Sequence, residues 1–233
     1  MAAIEVRGLG VKYRQGQPSA VQALDGVTLG VQAGEFVSVV GRAGSGKTTL
    51  LHSAGLLLRP TSGVVAIDGV DAATLSDGQR ADLRSRKIGW VLRDRNLLPG
   101  LTVLENVLLP LRYAGLAALG RSGRARARDL LDLVGLADRA RARPDELTAA
   151  QSQRAAIARA LVKAPSLVLA DEPTGEVDDD ASDELLYLMQ QINRMSDVTF
   201  VVATQDRDVA SCMDRMVRLG GGRVLSDERM RVA

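Results

Sequence analysis

Gly41-Arg42-Ala43-Gly44-Ser45-Gly46-Lys47-Thr48-Thr49 is the stretch on which the reading of this chain turns. It fits Gly-x-x-x-x-Gly-Lys-[Ser/Thr], a loop that wraps the phosphates of a nucleoside triphosphate. Glu35-Phe36-Val37-Ser38-Val39-Val40 before it reads as a buried strand, and Thr49-Leu50-Leu51-His52-Ser53-Ala54-Gly55-Leu56-Leu57 after it reads as a helix. That context separates a phosphate loop from a glycine-rich turn that binds nothing. Glycines let successive backbone N–H groups turn inward as an anion nest at a helix N-terminus. Lys47 is expected to reach the β- and γ-phosphates, and the Thr48 hydroxyl to sit on Mg²⁺.

The 233 residues suffice for one large domain or a domain with a subdomain. A hydrophobic fraction of 46% with 25% charged residues is that of an ordinary globular chain, not a disordered one. A net charge of +2 is too small to draw in nucleic acid by bulk electrostatics, so no nucleic-acid partner is expected. Cys212 stands alone, which excludes an intrachain disulfide and suits a reducing cytosol. Met1 to Glu5 does not look like a secretory signal. The apolar region from Val107 to Gly120 is broken by Pro110 and Arg112 and cannot span a bilayer. Work at a membrane therefore implies another subunit.

Outward from the loop, Ile4–Arg7, Val27–Val31, Gly63–Ile67 and Ile88–Leu92 read as strands, with a polar helical stretch from Leu75 to Arg86. From Arg93 to about Ala164 the pattern is helical, with helices over Val103–Tyr113, Arg124–Val134 and Gln151–Lys163. The α/β alternation then resumes with strands over Leu167–Ala170 and Val198–Ala203, a helix over Ala181–Met195, and a hairpin about Gly220-Gly221-Gly222. The expected fold is an α/β core over 1–92 and 165–233, with a mixed sheet and a helical subdomain inserted over 93–164. The basic run Arg121, Arg124, Arg126 and Arg128 reads as a solvated helix face.

Two further stretches carry a resemblance. Leu167-Val168-Leu169-Ala170-Asp171-Glu172-Pro173-Thr174-Gly175 is an apolar strand that delivers two carboxylates to its C-terminal end, where ligands bind in open α/β sheets. Leu147-Thr148-Ala149-Ala150-Gln151-Ser152-Gln153-Arg154 resembles the signature loop and helix of the ATP-binding cassette (ABC) family. Asn96-Leu97-Leu98-Pro99-Gly100-Leu101-Thr102-Val103-Leu104-Glu105-Asn106-Val107 is similar to the same segment in ATPases of the lipoprotein-release and macrolide-exporter class.

The resemblance implies an ABC-type P-loop NTPase core that binds ATP and Mg²⁺ between two nucleotide-binding subunits, as a homodimer or heterodimer. It also implies integral-membrane permease partners and a place at the cytoplasmic face of the membrane. Position by position, Tyr13 matches the aromatic that stacks on adenine, although a tyrosine near a first strand, taken alone, is more often packing. Gly41 to Thr49 would hold the phosphates, Thr48 and Asp171 the metal, and Glu172 would polarise the attacking water. Thr148, Ala149, Ala150 and Gln151 would face the partner's nucleotide, and Asp178 lies in the loop that crosses between subunits. Leu97-Leu98-Pro99 is either a permease contact or subdomain core.

Three positions depart from the family pattern, all in the machinery of hydrolysis. Arg93 stands where the family carries a Gln near Mg²⁺, and a guanidinium has donors only. Thr148-Ala149-Ala150 replaces Ser-Gly-Gly, keeping the hydroxyl but adding two Cβ atoms. Gln205 replaces the switch His, and it cannot carry an imidazolium's charge. The resemblance therefore implies ATP binding with slow hydrolysis. It leaves two readings open: a motor subunit, or a nucleotide-dependent scaffold that regulates a membrane complex.

Overall fold

The computed structural model describes residues 1–17, 19–113 and 120–230, so the end of the apolar region from Val107, residues 114–119, lies outside the described residues. Strands β1 (Ala2–Tyr13) and β2 (Val21–Gln32) form a long antiparallel pair. Strand β3 (Phe36–Val40) runs into the glycine-rich loop and helix α1 (Lys47–Ala54). Strands β4 (Ser62–Ile67) and β5 (Val70–Asp71) follow, then helix α2 (Asp77–Lys87) and strand β6 (Ile88–Val91). Helices α3 (Val103–Tyr113), α4 (Arg121–Leu133) and α5 (Ala149–Leu161) come next. The chain returns through β7 (Leu167–Asp171), α6 (Asp179–Ser196), β8 (Thr199–Thr204), α7 (Arg207–Ser211), β9 (Arg215–Gly220) and β10 (Arg223–Arg229).

Two sheets result. One is antiparallel, in the order β2-β1-β4-β5. The other runs β10-β9-β3-β8-β7-β6 and is parallel throughout except for the β9–β10 hairpin. Its central strands are apolar at nearly every position because both faces are covered. Alternate residues of β7 show this division. Val168 and Ala170 join a core cluster with helices α3 to α6, whereas Leu167 and Leu169 join a second cluster with α1 and the antiparallel sheet. Phe36 of β3 meets Phe200 of β8 edge to face, with ring centroids 5.6 Å apart.

The expected strands and helices all form, with shifted ends. Helix α1 begins at Lys47, not Thr49, because the Gly46 carbonyl already accepts from Leu50 N at 2.8 Å. It stops at Ala54, where Gly55 and then Leu56, at φ 60°, turn the chain. Helix α5 begins at Ala149, not Gln151, since Thr148 and Gln151 form a capping box. Helix α6 begins at Asp179, not Ala181, because Asp178 caps it by accepting from Ala181 N. Strands β1 and β2 extend well past the segments read from alternation, since their register shifts interrupt the pattern.

Helix α2 illustrates how local signals set an element. Ser76 Oγ accepts from Gln79 N and the Gln79 side chain accepts from Ser76 N, so two orphan donors are satisfied reciprocally. Ser76→Ala is expected to lower stability by about 1 kcal/mol. Urea unfolding of both proteins checks this; an unchanged midpoint would show that the box does not hold the helix start.

Candidate nucleotide site

Strands β3, β8, β7 and β6 are parallel neighbours, so their C-terminal ends share one edge of the sheet. From the end of β3 leaves the glycine-rich loop, from β8 Gln205, from β7 Asp171 and Glu172, and from β6 Arg93. The topology thus gathers residues more than a hundred positions apart, at the edge where open α/β sheets bind ligands.

The loop's shape depends on its glycines. A Cβ at Gly41 would lie 2.3 Å from the Leu219 carbonyl oxygen and 2.5 Å from Ser45 Oγ. Gly46 sits at φ 103°, and a Cβ there would lie 2.6 Å from the Ala23 carbonyl oxygen. Neither position admits a side chain without displacing backbone. The loop is buttressed from the far end of the chain, since Gly222 N donates to the Ser45 carbonyl at 3.1 Å.

Lys47 is buried, 6% exposed, and folds back over the loop. Its Nζ donates to the Gly41 carbonyl at 2.7 Å and lies 3.4 Å from Glu172 Oε1. Glu172 Oε2 accepts from Gln205 N at 3.2 Å, so the carboxylate bridges the loop lysine and the strand β8 exit. Glu172 itself holds φ 48°, a region few non-glycine residues occupy. Tyr13, Ala43 to Thr49, Arg93, Glu172 and Gln205 all line one cleft of about 370 Å³. Val21, Gln22 and Ala23 line it too. Sequence reading missed these, because nothing marks the start of β2 as facing the loop.

Tyr13 is half-exposed, with its hydroxyl 3.3 Å from Thr49 Oγ1, which ties the β1 end to helix α1. Gly41 and Arg42 line a second cavity of about 450 Å³, with Arg207 and Arg218, which shares Ala43, Gly44, Ser45 and Gln205 with the first. Asp171 is buried beside Glu172, and its Oδ1 has no hydrogen-bond partner among the described residues. A buried carboxylate oxygen without a partner is costly, and a hard cation is a fitting partner for it. Among the described residues no three His, Cys, Asp or Glu side chains cluster as a metal cage. A divalent ion here would need Asp171, Thr48 and oxygens of a bound nucleotide, which suits Mg²⁺.

The remaining expected residues lie elsewhere. Thr148, Ala149, Ala150 and Gln151 open helix α5, and Asp178 caps α6; none of them lines the 370 Å³ cleft. Thr148 and Asp178 are exposed. The chain therefore gathers the phosphate loop and acidic pair at one sheet edge, while Thr148 and Asp178 stand exposed away from the cleft.

A phosphate nest at the carboxyl edge of a parallel sheet, with a strand-borne acidic pair beside it, defines the P-loop class of nucleotide-binding domains. Within that class, residues 24–175 match the family described as ABC transporter, and the chain belongs to that family. It is 45% identical over 224 residues to the lipoprotein-releasing system ATP-binding protein LolD of Geobacter metallireducens, covering 96% of this chain and 98% of LolD. It is also 45% identical over 222 residues to the macrolide export ATP-binding/permease protein MacB of Syntrophobacter fumaroxidans, covering 95% of this chain. The chain spans only 31% of MacB's length. Two dimeric structures of the cassette MJ0796 superpose with a TM-score of 0.90, covering 99% of this chain and 100% of theirs. Their identities are 38% and 37%, and the second is a post-hydrolysis state bound to ADP and Pi. Among the described residues no helix is long and apolar enough to cross a membrane.

Proposed function

We propose that this chain is the ATP-binding subunit of a membrane ABC transporter or force-transmitting complex of the lipoprotein-release and macrolide-export kind. The observation that carries this reading is the convergence of Lys47, Glu172, Gln205 and Arg93 on one cleft beside the phosphate loop. In this reading the chain is a single nucleotide-binding domain whose helical part, 93–164, docks permease subunits at the cytoplasmic face. Leu98, which is exposed, is its candidate contact. Two nucleotide-binding subunits close on ATP, each offering its phosphate loop to the other's Thr148–Gln151 and Asp178. That arrangement gives the outward-facing α5 and α6 starts a role.

The chain's own residues divide the work. Backbone amides of Gly44 to Thr48 and the Lys47 ammonium hold phosphate oxygens, and the ring of Tyr13 offers a face to the base. Thr48 and Asp171 would hold Mg²⁺, which neutralises charge on the phosphates. Glu172 accepts the proton of the attacking water. The same carboxylate is engaged by Lys47 and Gln205 N, so in this reading Lys47 is shared between Glu172 and the phosphates.

Hydrolysis is expected to be weak or partner-dependent. Arg93 brings a cation, not an acceptor, to the cleft, and Gln205 brings no charge. A second reading, a scaffold that closes on ATP and regulates a membrane complex without productive turnover, is favoured by these same two residues. Steady-state Mg·ATP hydrolysis by the purified chain and by Glu172→Gln separates the readings. The motor reading expects residual turnover that falls at least about tenfold in the variant while nucleotide binding persists. Binding with no Glu172-dependent turnover would overturn it in favour of the scaffold. Absence of nucleotide binding would overturn both.

A further inference from the structure

Two loops border the cleft beside the phosphate loop, through Arg93 and Glu172, and each is held in an uncommon backbone conformation. The first follows β6 and carries Arg93. Arg95 and Asn96 there have φ 56° and 48° in succession, a costly pairing for residues other than glycine. The turn is closed by Arg95 N donating to the Leu92 carbonyl at 3.0 Å. It is also gripped from helix α5: the Arg159 guanidinium donates to the carbonyls of both Arg95 and Asn96. Burial pushes the Arg159 pKa down, and no carboxylate pairs with it among the described residues. Backbone carbonyls of this one turn are therefore where its charge is accommodated.

The second loop follows β7 and runs from Glu172, at φ 48°, to Asp178 at the cap of α6. Gly175 N and Val177 N close its turns onto the carbonyls of Glu172 and Thr174. Among the described residues one side-chain ion pair joins the two loops, Arg95 with Glu176. Arg95 is largely covered and Glu176 about half exposed, so the pair is partly shielded from water.

We propose that Arg95 is a positioning residue. Its ion pair with Glu176 locks the loop bearing Arg93 to the loop bearing Glu172 and Asp178, so the two walls of the cleft move as one body under the grip of Arg159. Helix α5 starts at Ala149, behind its exposed cap Thr148, and carries Arg159 in its last turn. A displacement at its start is thereby passed to both walls together. The consequence for binding rests on the nucleotide reading above; the lock itself does not.

Two measurements test it, each on the full chain. The first is amide hydrogen exchange of the nucleotide-free protein for wild type, Arg95→Glu, Glu176→Arg and the double charge swap. Exchange in 173–178 is expected to quicken about three- to tenfold in each single variant and to return toward wild type in the swap. Unchanged exchange in 173–178 on altering Arg95, or a swap that fails to restore it, overturns the lock. The second compares affinities for Mg·ATP and ADP. In the nucleotide reading Arg93 and Glu172 would face the γ-phosphate while the phosphate loop holds the rest, so Arg95→Glu is expected to weaken Mg·ATP about three- to tenfold and leave ADP unchanged. Equal losses for both nucleotides would reduce Arg95 to a general structural role. Failure to bind either nucleotide, in wild type as well, would overturn the nucleotide reading and leave hydrogen exchange to decide the lock.

Discussion

Lys47→Ala is expected to weaken Mg·ATP binding by roughly ten- to a hundredfold, the worth of one or two hydrogen bonds to a charged group. The side chain is 6% exposed, so its ammonium is largely withdrawn from water. What it holds instead is the Gly41 carbonyl at 2.7 Å and Glu172 at 3.4 Å. A nucleotide thus gains a preformed cation at the cost of that internal pair, and the alanine variant has no cation to offer. It also leaves Glu172 facing incoming phosphates with like charge, which adds to the loss. Titration with a fluorescent ATP analogue measures the effect, and circular dichroism checks that α1 survives. Unaltered affinity in a folded variant would remove Lys47 from the binding site.

The second large effect is a gain. Restoring the family residues by Arg93→Gln, Gln205→His, Ala149→Gly and Ala150→Gly together is expected to raise ATP turnover by about a hundredfold or more. One preorganised donor is commonly worth two to three powers of ten, and groups in one site do not add. Arg93 and Gln205 share the cleft with Glu172, whereas Ala149 and Ala150 act on the partner's nucleotide in the proposed dimer. Partial sets should therefore fall short of the complete one. Each Ala→Gly change in the first turn of α5 carries a helix cost of up to about 1 kcal/mol, so melting temperature must be followed beside turnover. If the fourfold variant hydrolyses ATP no faster than wild type, the three departures are not what limits this chain.

Much of this candidate site is legible in the sequence because its parts are local. The spacing of Gly41, Gly46 and Lys47, and the four apolar residues ahead of Asp171, each constrain a few neighbouring positions through backbone sterics and burial. The same holds for the parallel core strands, whose unbroken apolar runs follow from burial on both faces. Less legible were features set by distant partners. Tyr13 could be placed near the loop only through resemblance, since its neighbour Thr49 lies 36 positions away. Helix α7, five residues behind the Asp206 cap, is too short to show a period. The Arg159 grip on Arg95 and Asn96 joins residues about 60 positions apart and leaves no pattern in the sequence at all. Helix starts were misplaced by two residues at α5 and α6 because an apolar period registers only after the cap, although Thr148-x-x-Gln151 carried the signal.

The strand order also sets a timetable for the chain as it is made. The antiparallel sheet needs nothing beyond Asp71 and can assemble before the later strands emerge. Strand β3 cannot, for its neighbours are β8 and β9, which begin at Thr199 and Arg215. Until they emerge, the segment that ends in the phosphate loop has no sheet to join, and Gly222 is not there to brace Ser45. Closing so long a span is slow compared with forming the local sheet. In the proposed nucleotide reading, the phosphate loop is therefore braced only after β8, β9 and Gly222 have emerged, later than the antiparallel sheet.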